Sequence, residues 1–233
     1  MSIIIDFMRG ASVSKLTIKA EKKYLVLPVG KYVDSRKLVL VHDGKTAVDI
    51  DLRLDYVNPS EYVCLDISKY RGDELTVEGL QDVIPEDIQS DAPPVNYSSS
   101  RSFRPQVHFT PDYGWINDPN GLLEYTSPVT GKKTYHMFYQ YNPYDTVWGN
   151  MHWGHAVSRD LLHWEEKDIA LFPDDMGTMY SGSAIEDIHN VTGLQSGDKA
   201  PMLLFYTAAG DRNMLSMGKG RTQCLAYSND GGE

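Results

Sequence analysis

Val48-Asp49-Ile50-Asp51-Leu52-Arg53-Leu54-Asp55 alternates apolar and charged residues at every step. A strand turns successive side chains to opposite faces, so this run buries one face and wets the other, whereas a helix would scatter the same order around its axis. Similar short runs occupy residues 15–20, 24–29, 37–42, 61–67 and 74–77, separated by turn signals at Asp43-Gly44, Asn58-Pro59 and Arg71-Gly72-Asp73. Strands of this length and spacing predict a small antiparallel β-sandwich over residues 1–84. It holds no grouping of His, Asp and Glu that reads as catalytic, so its expected role is accessory.

Over residues 85–104 the alternation stops, and Pro85, Pro93, Pro94 and Ser98-Ser99-Ser100 predict a semi-extended linker. Strand signals resume over residues 105–233, at 134–141, 153–158, 179–185, 201–208 and 223–228, each bounded by Gly, Pro, Asn or Asp. This is the pattern of a chain of antiparallel hairpins. No helical period of comparable length appears, so the fold class expected is all-β.

The second half also concentrates chemistry. All four Trp residues fall between Trp115 and Trp164. In Trp115-Ile116-Asn117-Asp118-Pro119-Asn120-Gly121, Pro119 biases Asp118 toward extended backbone and Asn120-Gly121 is a strong turn dipeptide. The segment therefore reads as a strand end closing into a hairpin, with one acid held in one place. Such runs also turn the chain in solvated loops with no further role, so the neighbours decide. They are Phe138-Tyr139-Gln140-Tyr141-Asn142-Pro143, Trp148-Gly149-Asn150-Met151-His152-Trp153-Gly154-His155-Ala156 and Tyr180-Ser181-Gly182-Ser183-Ala184. Carbohydrate carries hydroxyl edges and apolar C–H faces, and a site for it needs amides, carboxylates and aromatic walls together. Trp115 and Trp148 stand in polar, turn-rich contexts and are read as site walls, while Tyr135, Phe138 and Trp164 are read as core.

Other chemistries fit less well. His152 and His155 at this spacing on a strand face opposite ways, so no metal site is expected. Asp160, Asp174, Asp175, Glu186 and Asp187 read as solvated loop charges. A formal charge of −10 and a pI near 5.1 argue against a nucleic-acid partner or an anionic membrane surface. Cys64 and Cys224 lie far apart without zinc spacing and read as two unpaired thiols, with a disulfide between them left open. The apolar patch in Met1-Ser2-Ile3-Ile4-Ile5-Asp6-Phe7-Met8 is too short for a signal peptide, and no stretch is long enough to span a bilayer.

Taken in order, Arg104-Pro105-Gln106-Val107-His108-Phe109-Thr110-Pro111 and the four segments around Asp118, Gln140, Trp148 and Tyr180 closely resemble glycoside hydrolase family 32. That family comprises invertases, levanases, inulinases and other fructan-cleaving enzymes. The first unit is similar, more loosely, to a β-sandwich module found before such catalytic domains, with Tyr24-Leu25-Val26-Leu27-Pro28-Val29 as its most suggestive stretch. The resemblance implies a five-bladed β-propeller with an axial site and a retaining mechanism in which two carboxylates work without a cofactor. By the same resemblance Asp118 is the nucleophile, Asn117 and Gln140 bind fructosyl hydroxyls, and Trp115 and Trp148 shape the pocket that Tyr180 and Ser181 complete. The implied partners are fructan, fructo-oligosaccharide or sucrose, and the implied location of the parent enzyme is secreted or periplasmic. Two motifs of the family, Arg-Asp-Pro and Glu-Cys, do not occur. The expectation is therefore the first one and a half blades of the propeller, inactive alone and prone to self-association through open sheet edges, with a non-catalytic fructan-binding module as the alternative.

Overall fold

The computed structural model describes residues 15–80, 88–93, 104–127 and 131–232. The all-β expectation holds: fourteen strands form four antiparallel sheets, with two single 3-10 turns beside them among the described residues. The first unit contains β1 (Lys15–Lys19), β2 (Tyr24–Val29), β3 (Arg36–His42), β4 (Lys45–Leu52), β5 (Glu61–Asp66), β6 (Glu74–Glu78) and β7 (Gln89–Ser90). Its sheets have the orders β1-β6-β3-β4 and β5-β2-β7. One apolar cluster draws on both, with Leu38, Leu40, Leu52, Leu75 and Val77 from the first and Leu25, Leu27, Val63 and Leu65 from the second.

Part of the stretch read as linker belongs to this unit. Ile88 is buried in the cluster, and Gln89 and Ser90 pair with Leu25 and Tyr24. Pro85, Pro94 and Ser98-Ser99-Ser100 lie outside the described residues.

The second unit contains β8 (Trp115–Thr126), β9 (Lys133–Asn142), β10 (His152–Ser158), β11 (Trp164–Leu171), β12 (Thr178–Glu186), β13 (Met202–Ala209) and β14 (Arg221–Ser228). They build a four-stranded sheet, β11-β10-β9-β8, and a three-stranded one, β12-β13-β14. Phe138 and Trp153 from the first pack with Met179, Met202 and Leu204 from the second. Phe138 is core as expected, and Trp164 packs half-buried around Tyr139 and Ala156, while Tyr135 is only half-buried. Cys64 and Cys224 are both free thiols. Among the described residues no helix is long and apolar enough to cross a membrane.

The run expected to close a hairpin at Asn120-Gly121 instead continues as β8. Two irregularities absorb the turn-like residues: three steps on β8 match two on β9 between Ile116 and Pro119, and again between Asn120 and Leu123. Each adds one residue that pairs with nothing, so Pro119, which cannot donate to a ladder, is tolerated beside a bulge. Gly121 has φ +54°, and a Cβ there would lie 2.8 Å from the Phe138 ring and 3.0 Å from Trp153. Close packing, not turning, is what requires glycine at that position.

The wet face expected for β4 is also corrected. Asp49 is only 9% exposed and Arg53 is largely covered, because that face meets the second unit. Arg53 donates from Nη2 to Asp145 Oδ1 at 2.6 Å and from its backbone N–H to Oδ2 at 3.0 Å. Tyr144, beside it, is buried in the first unit's own apolar cluster.

Three buried imidazoles in the second unit predict an acid limit to stability. Burial pushes His152 down to about 4 and His136 to about 4, and burial plus the neighbouring His136 and Lys167 pushes His155 to about 3. Between the ordinary imidazole value of 6.5 and these values the unfolded chain binds protons that the native chain does not, so stability falls as pH falls. For His152 alone the gap of about 2.5 units corresponds to roughly 3 kcal/mol. Buried Glu166, whose carboxyl is pushed up, acts in the opposite sense and offsets part of this. The urea midpoint should therefore drop steadily from about pH 7 to about pH 4.5; a flat profile would mean that water reaches these rings in the native state.

Candidate active site

β8 and β12 are edge strands of neighbouring sheets, and both are irregular where they meet. On β12, two residues match one on β13 between Tyr180 and Gly182, which makes Ser181 the extra residue. Bulges re-aim side chains, and these two aim at each other: Ser181 Oγ donates to Asp118 Oδ2 at 2.9 Å. Asp118 itself is exposed and borders a hollow. Gly182 permits the approach of β13, since a Cβ there would overlap the Phe205 carbonyl oxygen at 1.8 Å.

Asn117, Asp118, Gln140, Trp148, Tyr180, Ser181, Thr207 and Arg221 line one hollow of about 380 Å³. Six of the seven residues expected from sequence thus converge. The seventh, Trp115, is not in the lining; its indole Nε1 donates to Asn117 Oδ1 at 2.9 Å and so fixes the orientation of the Asn117 amide. Gln140 is buried at the floor, where Nε2 donates to the Met179 carbonyl at 2.7 Å and Oε1 remains an acceptor. Trp148, 52% exposed, stands edge-to-face on Tyr180 with ring centres 6.2 Å apart.

Thr207 and Arg221 were not expected from sequence. Thr207 is opposite Tyr180 in the β12–β13 ladder, and its hydroxyl accepts from Gln223 Nε2 at 2.7 Å. The Arg221 guanidinium lies 5.7 Å from the centre of the Tyr180 ring. The hollow's lining residues therefore combine one carboxylate, one guanidinium, two amides, three hydroxyls and two aromatic ring systems. Such a set grips a neutral polyol by hydrogen bonds and ring contacts and can deliver one anionic oxygen to an electrophilic carbon.

A larger cavity of about 1130 Å³ lies between β9–β11 and β13–β14 and includes none of the expected residues. Of its acids, Glu165 is held by Lys167 and Asp230 by Ser228, and of its three imidazoles His136 and His155 pair with each other at 3.0 Å while His163 turns to Asp160. The other loop acids also have local partners: Asp160 binds His163, Asp175 binds Lys219 and Asp187 binds Thr192. His152 and His155 have separate surroundings, His152 packing on Tyr144 and Phe172 and His155 on His136 and Phe138. Among the described residues no group of three or more His, Cys, Asp or Glu could hold a metal ion.

Residues 108–233, more than half of the chain, match the family model described as the glycosyl hydrolases family 32 N-terminal domain. The chain belongs to glycoside hydrolase family 32. This family-32 chain is 47% identical over 130 residues to a levanase of Bacillus subtilis, a match covering 56% of this chain and 17% of the levanase. It is 44% identical over 137 residues to an invertase of Schizosaccharomyces pombe, covering 55% and 22% of the two chains. With an extracellular exo-inulinase of Aspergillus awamori it shares 45% identity over 117 residues, covering 48% and 21%. A solved exo-inulinase structure from the same fungus superposes with a TM-score of 0.48 and 38% identity, covering 59% of this chain and 27% of that one. The chain thus spans about a fifth of the length of these curated relatives.

Proposed function

We propose that this chain forms the nucleophile-bearing part of a retaining β-fructofuranosidase or fructanase acting on sucrose, fructo-oligosaccharides or fructans. Asp118 is the nucleophile, Asn117 and Gln140 hold ring hydroxyls, and Trp148 and Tyr180 wall the pocket. In this reading residues 1–84 are an accessory β-sandwich, and residues 105–233 supply the first part of a five-bladed propeller whose axis passes near the hollow. The observation that carries it is the meeting of two bulged edge strands, which brings Ser181 to Asp118 inside a hollow lined by amides and aromatic rings.

Retaining chemistry needs a second carboxyl about 5–5.5 Å from the first to protonate the leaving oxygen. Asp118 is the single carboxylate among the lining residues, so the chain alone should release no reducing sugar from sucrose, levan or inulin. A fructosyl fluoride removes that requirement, since fluoride departs without a proton. Attack by Asp118 Oδ1 on the anomeric carbon would form one ester bond, break the C–F bond and release fluoride. With no acid/base to activate water, the ester should persist. Intact-mass spectrometry should then show one added fructosyl unit, mapped to the peptide holding Asp118. Binding of fructo-oligosaccharide by calorimetry without any ester would favour the alternative, a non-catalytic fructan-binding module, or an inverting scheme with Asp118 as base.

A further inference from the structure

The first unit does more than precede the second. Its strand β4 turns a row of polar groups toward two loops, and both loops feed the hollow. The loop of residues 143–151 carries Trp148, and the loop between β13 and β14 leads into Arg221.

Three contacts fix the first loop. Arg53 holds Asp145 from Nε, Nη2 and its own backbone N–H, and Nη2 also donates to Thr146 Oγ1 at 2.9 Å. The Asn150 side chain closes a two-point contact on Asp51, accepting its N–H at 2.9 Å and donating to its carbonyl at 2.7 Å. Tyr144 plugs the first unit's core. Within the loop, Asn142 Nδ2 donates to the Val147 carbonyl and Asn150 Nδ2 to Asn142 Oδ1, which ties the anchors to the residue preceding Trp148. The second loop is held at Met214, whose N–H donates to Asp49 Oδ2 at 2.5 Å.

Trp148 itself has little to hold it. Half of its surface is open, and the described ring contact is the edge-to-face one on Tyr180. An indole in that position keeps one orientation only if the backbone beneath it is held.

We propose that β4 of the first unit is a positioning element for the hollow, with Arg53 and the Asp51 backbone setting the Trp148 wall through Asp145 and Asn150. The first unit thereby tunes sugar affinity without touching sugar. This rests on the sugar-site reading for its affinity consequence, and on geometry alone for the coupling.

The chain has four tryptophans, so biosynthetic 5-fluorotryptophan gives four ¹⁹F resonances, with Trp148 assigned by Trp148→Phe. Asn150 has φ +42°, which glycine accepts, so Asn150→Gly removes the Asp51 contact, together with the Asn142 tie made by the same side chain, without backbone strain. In Asn150→Gly, and in Arg53→Lys, which loses the forked geometry but keeps the charge, the Trp148 resonance should move toward that of free 5-fluorotryptophan. Those of Trp115, Trp153 and Trp164 should stay in place. Affinity for a fructo-oligosaccharide should fall by about tenfold.

If the Trp148 resonance is unmoved in Asn150→Gly while the chain is folded, the proposal is wrong, whatever Arg53→Lys does. If Trp148 moves and affinity is unchanged from a parent chain that binds the sugar, the positioning role is wrong. If Trp148 moves but the parent chain binds no sugar, the coupling stands and it is the sugar-site reading that fails.

Discussion

Replacing Arg53 by methionine should lower the unfolding free energy of the chain by roughly 3–5 kcal/mol, the usual cost of removing one partner of a buried ion pair. The methionine keeps much of the apolar stem but abandons Asp145, whose side chain is 2% exposed. Asp145 would retain the Arg53 and Thr146 backbone N–H donors, which places the effect toward the lower end of that range. For a chain of this size roughly 2–4 °C of melting temperature accompanies each kcal/mol, so a shift of about 10 °C is expected. The comparison is Arg71→Met, which breaks an ion pair at 3.2 Å with Asp91, both side chains more than half exposed, and should cost no more than about 1 kcal/mol. Combining Arg53→Met with Asp145→Asn should recover part of the loss, because the stranded charge is then gone while the amide oxygen still accepts a backbone N–H. Equal melting shifts for Arg53→Met and Arg71→Met would mean that the contact between the units contributes little.

That contact is invisible in the sequence. Alternation in residues 48–55 correctly put Ile50, Leu52 and Leu54 inside and Asp49, Asp51 and Arg53 on the opposite face. Periodicity reports that a face is polar; it does not report what lies against it. Arg53 and Asp145 are 92 positions apart, and nothing local marks either as the partner of the other.

Strands β1 to β6, and β9, β10, β12, β13 and β14, are legible because apolar and polar residues alternate between clear breakers, whereas β7 hides in the stretch read as linker. β11 is not legible either. Its Glu165, Glu166, Lys167 and Asp168 mask the pattern, and such charges suit a strand at the free edge of its sheet. β8 was mistaken for a strand end because Pro119, Asn120 and Gly121 carry turn chemistry, and only the partner strand reveals that bulges absorb them. At the site, residues within the motifs were found, whereas Thr207 and Arg221 reach the hollow solely through the pairing of β12, β13 and β14.

Asp118→Asn should reduce fructosyl-ester formation below detection, a loss on the order of 10⁴-fold or more, as for other enzymes deprived of a covalent nucleophile. The amide is isosteric and still accepts from Ser181, so folding and the shape of the hollow should be unaltered. What disappears is the anionic Oδ1. Ser181→Ala tests the other oxygen. A hydrogen bond to a charged acceptor contributes about 1.5–3 kcal/mol, and solvent screens it at exposed Asp118, so labelling should slow by no more than roughly tenfold and not be abolished. Asp118→Glu separates charge from place, since it keeps the carboxylate but displaces it by one C–C bond, about 1.5 Å. It should retain sugar affinity and label about a hundredfold more slowly, because attack needs the oxygen at near-contact distance in line with the departing fluoride. Labelling by Asp118→Glu at the parent rate would show that position is immaterial, which no direct displacement at the anomeric carbon could tolerate.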